Sequence, residues 1–154
     1  MEKRKIVLDY KNILEYSQGS IEYLFVDKAE VVPGEFAIGQ KNCSMQDWFF
    51  RMHFPGEPIM PGTLVMECLM SLGTMVLSTL PDKKGTRVLV ESCCVPKFYR
   101  AVFPGDVLNL KVDCVRYAHG VGTFKGMADV SGTKVCNIDF KLIVPSDMLN
   151  MKKI

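Results

Sequence analysis

The sequence predicts an α+β fold in which a curved antiparallel sheet wraps around one long central helix. A long apolar run lies between two prolines, Pro61 and Pro81, which is typical of a buried helix. Further along the chain, apolar and polar residues alternate with a period of two, as in half-buried strands. A helix that is apolar on nearly every face must be covered, and a curved sheet covers it most simply. We expect residues 1–154 to form a single domain.

The first forty residues predict three short elements. In residues 6–16 the apolar side chains recur at helical spacing, which predicts a short amphipathic helix. Residues 21–26 are an aromatic and β-branched run and predict a strand. Residues 31–34 end in Pro-Gly and predict a turn, after which a second strand is expected over residues 35–40.

The long helix is expected to begin at Gly62 or Thr63, with Thr63 as its cap, and to stop before Pro81. Residues 63–80 contain one charge in 18 positions, which reaches the lower length limit for crossing a bilayer. Because Glu67 and several hydroxyl residues dilute this run, we expect a core helix and no membrane partner. Beyond the helix, alternating residues predict long strands, joined by turns near residues 120–122 and 131–134: Leu108, Leu110, Val112 and Cys114, then Cys136, Ile138, Phe140 and Leu142.

Composition narrows the classes of function. The chain has 19 basic and 17 acidic residues, a net charge of +2, which argues against a nucleic-acid-binding protein. The six cysteines and two histidines lack metal-ligand spacing, so no metal site is expected. Most cysteines lie among apolar residues, and no long apolar segment follows the charged N-terminus. We therefore expect a reduced, cytoplasmic protein without a signal peptide.

Residues 52–70 read MHFPGEPIMPGTLVMECLM and place one carboxylate inside an apolar run. Carboxylates are seldom fully buried without a partner. The start of a helix favours the ionised form of Glu67, whereas apolar neighbours favour the neutral acid, which is able to act as a general acid near neutral pH. The alternative is a solvent-facing or salt-bridged glutamate near a helix end.

Two more groups in this segment have possible chemistry. His53 lies in a loop sequence, where it is either a polar turn residue or a general base at neutral pH. Gly62 supplies a helix-start N–H and allows a substrate carbonyl to approach the backbone closely. With Glu67 these are the parts needed to remove a proton next to a thioester and expel a β-substituent. Spacing alone does not show that they meet. His119, in a turn sequence, is expected to be structural.

The segment His53-Phe-Pro-Gly-Glu-Pro-Ile-Met-Pro-Gly62, followed by Glu67, strongly resembles the 3-hydroxyacyl-ACP dehydratases of the FabZ type. These proteins have the hotdog fold, a curved antiparallel sheet around a central helix. The resemblance extends over residues 20–143 and includes four further segments: residues 23–27, 41–44, 97–106 and 122–126.

The resemblance implies a role for each group. His53 would remove the α-proton of a 3-hydroxyacyl thioester, Glu67 would position or protonate the departing hydroxyl, and the Gly62 N–H would polarise the thioester carbonyl. The substrate would arrive on the phosphopantetheine of an acyl carrier protein, with no other cofactor, and its chain would enter an apolar tunnel. Family sites combine the histidine and the acid of two subunits, so a homodimer, in some relatives a trimer of dimers, is expected. Lys97 and Arg100 are candidate contacts for the acidic carrier protein.

Two positions and one segment differ from the family pattern: Met52 replaces a glycine, Ser71 replaces a glutamine, and residues 19–23 replace a His-Arg-x-Pro-Phe sequence. They bear on substrate choice and assembly, and suggest a specialised homologue in a polyketide or unusual lipid pathway. Glutamate at position 67 resembles the dehydratases that do not isomerise the double bond. An acyl-thioester hydrolase and a non-catalytic acyl-binding or partner subunit are the alternatives, and His53 together with Glu67 favours dehydration.

Overall fold

The computed structural model describes residues 2–148. Residue 1 and residues 149–154, which the predicted domain 1–154 includes, lie outside the described residues. The described part contains two α-helices and eight strands: β1 (Ile6–Leu8), β2 (Lys28–Val32), β3 (Phe36–Asn42), α1 (Trp48–Met52), α2 (Gly62–Ser78), β4 (Leu89–Cys93), β5 (Lys97–Phe98), β6 (Val107–Ala118), β7 (Val121–Val130) and β8 (Thr133–Ile143). Short 3₁₀ helices cover Ile13–Tyr16, Ile21–Tyr23 and Pro145–Asp147.

All the strands belong to one antiparallel sheet with the order β1-β2-β3-β6-β7-β8-β4, and β5 also pairs with β8. The helix α2 packs against five of these strands, from β2 and β3 to β6, β7 and β8. The predicted α+β architecture, a sheet around one long helix, is therefore confirmed.

The core forms where α2 meets the sheet. Most residues of α2 after Val65 are buried, and the inward residues of β6 and β8 face them. A Cβ atom at Gly73 would lie 2.9 Å from the Phe140 ring, so glycine lets the helix approach β8 closely. The Phe140 ring stacks on Phe124 at 5.3 Å between centroids. Close packing of this kind holds α2 in one position relative to the sheet.

The bounds of α2 agree with the sequence prediction, but its cap does not. The helix begins at Gly62 and ends at Ser78, three residues before Pro81. Pro61 is the N-cap residue, and no side chain caps the helix, so the prediction of Thr63 as cap is wrong. The ring of Pro61 fixes its φ angle, and this restricts the direction in which the chain enters the first turn of α2.

The predicted helix over residues 6–16 is also wrong. Its first part is strand β1, which pairs with β2, and only Ile13–Tyr16 is helical, as a 3₁₀ turn. Between them the Asp9 carboxylate accepts a hydrogen bond from Lys11 N at 2.9 Å, and the Asn12 side chain accepts one from Asp9 N at 2.9 Å. Such local side-chain bonds compete with helix formation.

Residues 21–26, predicted as a strand, form a 3₁₀ turn followed by extended chain outside the sheet. This segment packs its own aromatic rings, Tyr23 and Phe25, edge to face at 4.9 Å. The strand lies later, at Lys28–Val32, and so includes two residues of the predicted turn over 31–34. Strand β3 (Phe36–Asn42) confirms the predicted strand that starts near residue 35.

Candidate active site

The loop after α1 fixes the ring of His53. Its Nδ1 lies 2.9 Å from the Ile59 carbonyl oxygen, while Ile59 N donates to the His53 carbonyl at 2.8 Å. A carbonyl oxygen only accepts, so Nδ1 carries the hydrogen and Nε2 of the neutral ring is unprotonated. The Phe54 ring stacks on the imidazole at 3.9 Å between centroids. His53 is therefore held in the tautomer that a general base requires.

A buried lysine anchors α1, the helix that carries His53 at its C-cap. Lys41 is 6% exposed, and its Nζ donates to the Asn42 carbonyl at 2.7 Å and lies 3.4 Å from the Asp47 carboxylate. The Asp27 carboxylate is 4.0 Å away on another side. Because Asp47 is the N-cap residue of α1, this ion pair ties the helix to strand β3. Sequence reasoning assigned Lys41 no role, since nothing in its local pattern distinguishes a buried lysine from an exposed one.

Gly62 presents an open helix start. Within residues 2–148 the N–H groups of Gly62 and Thr63 donate to no other group, and the Pro61 carbonyl accepts from Leu64 and Val65. These free donors and the helix dipole favour a partially negative oxygen at this end. A Cβ atom at position 62 would lie 2.9 Å from the Phe98 ring, so a larger residue would displace that ring.

His53 and Gly62 line the same cavity, which we call the histidine cavity. Its volume is about 390 Å³. Its other walls come from the end of the His53 loop, from α2, from the chain after β4 and from β8: Ile59, Met60, Val65, Phe98, Tyr99, Arg100, Ala101, Val102 and Val135. The predicted base and the predicted amide donor are thus brought together within one protomer.

Glu67 lines a different cavity, the glutamate cavity, of about 100 Å³. Its walls are α2, the segment before β2, and β4 with β8: Ser17, Gln18, Gly19, Tyr23, Leu24, Phe25, Met70, Ser71, Thr74, Met75, Val88, Val90 and Leu142. Burial raises the pKa of the Glu67 carboxyl, while a hydrogen bond from the Ser71 hydroxyl at 3.2 Å lowers it. Glu67 is half-buried, and among residues 2–148 it has no cationic partner.

Both cavities reach the same edge of the sheet. The chain from Leu89 to Phe98 runs along β8, pairing with Ile143 at one end and with Cys136 at the other. Val90 of this edge lines the glutamate cavity, and Phe98 lines the histidine cavity. On its other side β4 pairs with no strand among the described residues. Local sequence patterns could not predict this arrangement, because it depends on where the chain returns after α2.

The remaining predicted residues occupy separate places. Arg100 lines the histidine cavity and is paired with Asp106 at 2.8 Å, which partly neutralises its charge. Lys97 is exposed on β5. His119 is exposed in the turn between β6 and β7, in the left-handed region with a φ of 52°, and lines neither cavity.

Within residues 2–148, no group of three or more His, Cys, Asp or Glu side chains is arranged to hold a metal ion. No helix there combines the length and apolar character needed to cross a membrane.

A sheet around a central helix, with a histidine, a helix-start amide and a half-buried carboxyl beside that helix, defines a hotdog-fold protein with acid–base groups. Solved structures support this fold. The dehydratase heterocomplex ApeI:P from Xenorhabdus doucetiae matches with a TM-score of 0.75, over 86% of this chain and 90% of that chain, at 13% identity. Cj0977, a sigma28-regulated virulence protein from Campylobacter jejuni, matches with a TM-score of 0.65 over 90% and 91%, at 10% identity. The predicted hotdog fold is confirmed.

Sequence comparison identifies the family. The FabA-like domain matches residues 22–139. The 3-hydroxyacyl-[acyl-carrier-protein] dehydratase FabZ of Clostridium novyi is 39% identical over 138 residues, which are 88% of this chain and 97% of that protein. The FabZ protein of Moorella thermoacetica is 42% identical over 109 residues, 70% of this chain and 76% of that protein. The chain belongs to the FabA-like family, among the 3-hydroxyacyl-ACP dehydratases of the FabZ type.

Proposed function

We propose that this protein removes water from 3-hydroxyacyl-ACP thioesters and forms trans-2-enoyl-ACP in fatty-acid or related polyketide or lipid synthesis in the cytoplasm. The observation that carries the proposal is the pair of cavities on one sheet edge. One contains a histidine with a free Nε2 beside an open helix start, and the other contains a carboxyl group whose pKa burial raises. The names of the curated relatives support the same reaction.

In the proposed reaction His53 is the base. Nε2 takes the proton from the carbon next to the thioester carbonyl, and the Ile59 carbonyl, bonded to Nδ1, stabilises the imidazolium that forms. The negative charge that develops on the thioester oxygen is stabilised by the Gly62 N–H at the start of α2. No group other than the carrier-bound substrate is required for these steps.

Glu67 is the acid in this proposal. As the bond between C3 and its oxygen breaks, the Glu67 carboxyl donates a proton, and the hydroxyl leaves as water. Both groups regain their starting protonation states when the proton on His53 is returned to the Glu67 carboxylate, directly or through solvent. Burial supports this role because it favours the protonated carboxyl, and the Ser71 hydroxyl orients the carboxyl through Oε1.

We place the complete site between two copies of the chain. An antiparallel pair of β4 edges related by a two-fold axis near Cys94 would set Val90 of one copy opposite Phe98 of the other. Val90 lines the glutamate cavity and Phe98 the histidine cavity, so each glutamate cavity would meet the partner's histidine cavity. The exposed edge supports this pairing, since Val90 is 50% and Val95 is 88% exposed in the single chain. A homodimer is the smallest assembly with a complete site, and a trimer of dimers would contain the same site.

The acyl carrier protein would dock beside the histidine cavity. Arg100 lines this cavity and Lys97 is exposed on β5 next to Phe98, which also lines it, so both provide positive charge for an acidic partner. Because Arg100 is already paired with Asp106, we expect Lys97 to contribute more to the rate of association.

The test is turnover of purified 3-hydroxyacyl-ACP, followed by enoyl-thioester absorbance, for the wild type, His53→Ala and Glu67→Gln. We expect each variant to lose about 100-fold or more of kcat, the usual scale for a general acid or base, while its circular dichroism stays unchanged. A folded wild type without turnover on several chain lengths would contradict the proposal and favour a non-catalytic partner subunit. Release of free acid and carrier thiol would instead indicate a hydrolase.

A further inference from the structure

The glutamate cavity has a direction along α2. Glu67, Met70, Ser71 and Thr74 line it, at the three- and four-residue spacing that places side chains on one helix face. Seven residues of helix correspond to about 10 Å, so the cavity extends about this far from Glu67 towards the C-terminal half of α2.

The segment before β2 forms the opposite wall of the cavity and runs in the direction opposite to α2. The Tyr16 carbonyl accepts a hydrogen bond from the Ser78 hydroxyl at 2.9 Å, which places the start of this wall at the last turn of α2. Tyr23, further along the wall, lies near Glu67: burial raises the pKa of the Tyr23 phenol, and the charge of Glu67 adds to that effect. Gln18 therefore lies at the end of the cavity that is distant from Glu67.

Gln18 joins two segments at that end. Its Nε2 donates to the Thr86 carbonyl at 3.0 Å, and its Oε1 accepts from Val88 N at 2.8 Å. We call these two hydrogen bonds the Gln18 bridge. They connect the wall before β2 to the chain that leads into β4, and both segments line the cavity. Gln18 lines the cavity and is itself exposed, so it lies between the cavity and solvent.

We propose that the Gln18 bridge closes the glutamate cavity and makes the protein selective for short-chain 3-hydroxyacyl groups; this inference rests on the proposed function. Only a few methylene groups beyond C3 fit, because a cavity of about 150 Å³ holds one benzene molecule and this one has about 100 Å³.

The polarity of the far end supports the same conclusion. Thr74 is 7% exposed and lines the cavity, and its hydroxyl makes no hydrogen bond to the other residues of the range 2–148. A long alkyl chain would cover this hydroxyl without offering it a partner, which is unfavourable for a buried polar group. A short chain ends before it reaches the hydroxyl.

The experiment measures kcat/KM with ACP carrying 3-hydroxybutyryl, 3-hydroxyhexanoyl or 3-hydroxydecanoyl groups. For the wild type we expect kcat/KM on the decanoyl substrate to be at least about ten-fold below that on the butyryl substrate. Gln18→Ala removes the bridge, and the ratio of decanoyl to butyryl kcat/KM should rise about ten-fold. Gln46→Ala is the matched control on an exposed loop, and the wild-type ratio is expected for it.

Two further variants separate selectivity from folding. Gln18→Glu keeps an acceptor for Val88 N but loses the donor to Thr86, so an intermediate ratio is expected. Thr74→Leu fills the far end and should lower hexanoyl turnover more than butyryl turnover. Equal wild-type use of butyryl and decanoyl substrates, or an unchanged ratio in both folded Gln18 variants, would overturn the inference and leave the dehydratase proposal standing. No turnover of any substrate would overturn the dehydratase proposal, and this inference with it.

Discussion

Two inactive variants should restore activity to each other if each site combines His53 of one protomer with Glu67 of its partner. In a mixture of equal amounts of His53→Ala and Glu67→Gln, random pairing gives one half heterodimers. A heterodimer has one site with both groups intact and one site with neither. The mixture should therefore regain about one quarter of wild-type turnover, far above the residual activity of either variant alone.

The assay uses differently tagged subunits, co-expressed or exchanged, with the heterodimer fraction measured by sequential affinity purification. The purified heterodimer should have about half of the wild-type turnover, since one of its two sites is complete. A double variant, His53→Ala with Glu67→Gln, paired with the wild type serves as the control, because neither site of that heterodimer is complete. Heterodimers of the two single variants that remain inactive would refute the shared site and place both groups in one protomer.

Three other predictions follow from the edge, the buried lysine and the buried acid. Mild oxidation should link protomers through the exposed Cys93 or Cys94, which lie near the proposed two-fold axis, and a non-reducing gel should show a dimer that the double serine variant does not form. Lys41→Met leaves Asp47 without its cation and should lower the free energy of unfolding by about 2–3 kcal/mol in urea titrations. The matched control Lys3→Met, at an exposed pair, should change it by less than about 1 kcal/mol. The raised pKa of Glu67 means that the folded state holds its proton to higher pH than the unfolded state, so this group costs stability above the ordinary carboxyl pKa. Glu67→Gln should then be more stable than the wild type near pH 8, and the difference in unfolding midpoint should disappear as the pH falls below about 4.

Each of these predictions has a contradicting outcome. A cross-linked dimer that persists without Cys93 and Cys94 would place the contact elsewhere. Equal losses for Lys41→Met and Lys3→Met would mean that the buried pair contributes no more than a surface pair. A Glu67→Gln variant that is less stable than the wild type near pH 8, with a deficit that disappears on acidification, would show that folding lowers the pKa of Glu67.

The parts of the fold that were predictable from sequence are those with strong periodicity. The apolar run bounded by Pro61 and Pro81 predicted α2, and the alternation along β6 and β8 predicted the long strands. These patterns predict secondary structure because the spacing of apolar residues along the chain indicates whether one face or every face of an element is buried. The segment over residues 6–16 misled the same reasoning, since five apolar residues fit a helical stripe while the side chains of Asp9 and Asn12 stop the helix.

The candidate site was predictable only in part. The sequence indicated His53, Gly62 and Glu67, and the structure brings His53 and Gly62 to one cavity. The local residue pattern did not indicate that Glu67 lines a second cavity, because the separation of the two cavities depends on which side of α2 each wall packs against. Local sequence patterns could not predict the Gln18 bridge either, since the partners of Gln18 lie 68 and 70 residues away in the chain.

The unpaired edge at residues 89–98 means that the core and the proposed site draw on different numbers of chains. Each chain forms its hydrophobic core around α2 from the residues of one molecule. On the proposed pairing, the site needs two, and the rate per chain should rise with protein concentration until every chain is paired. Dilution would then stop turnover reversibly while every protomer stays folded.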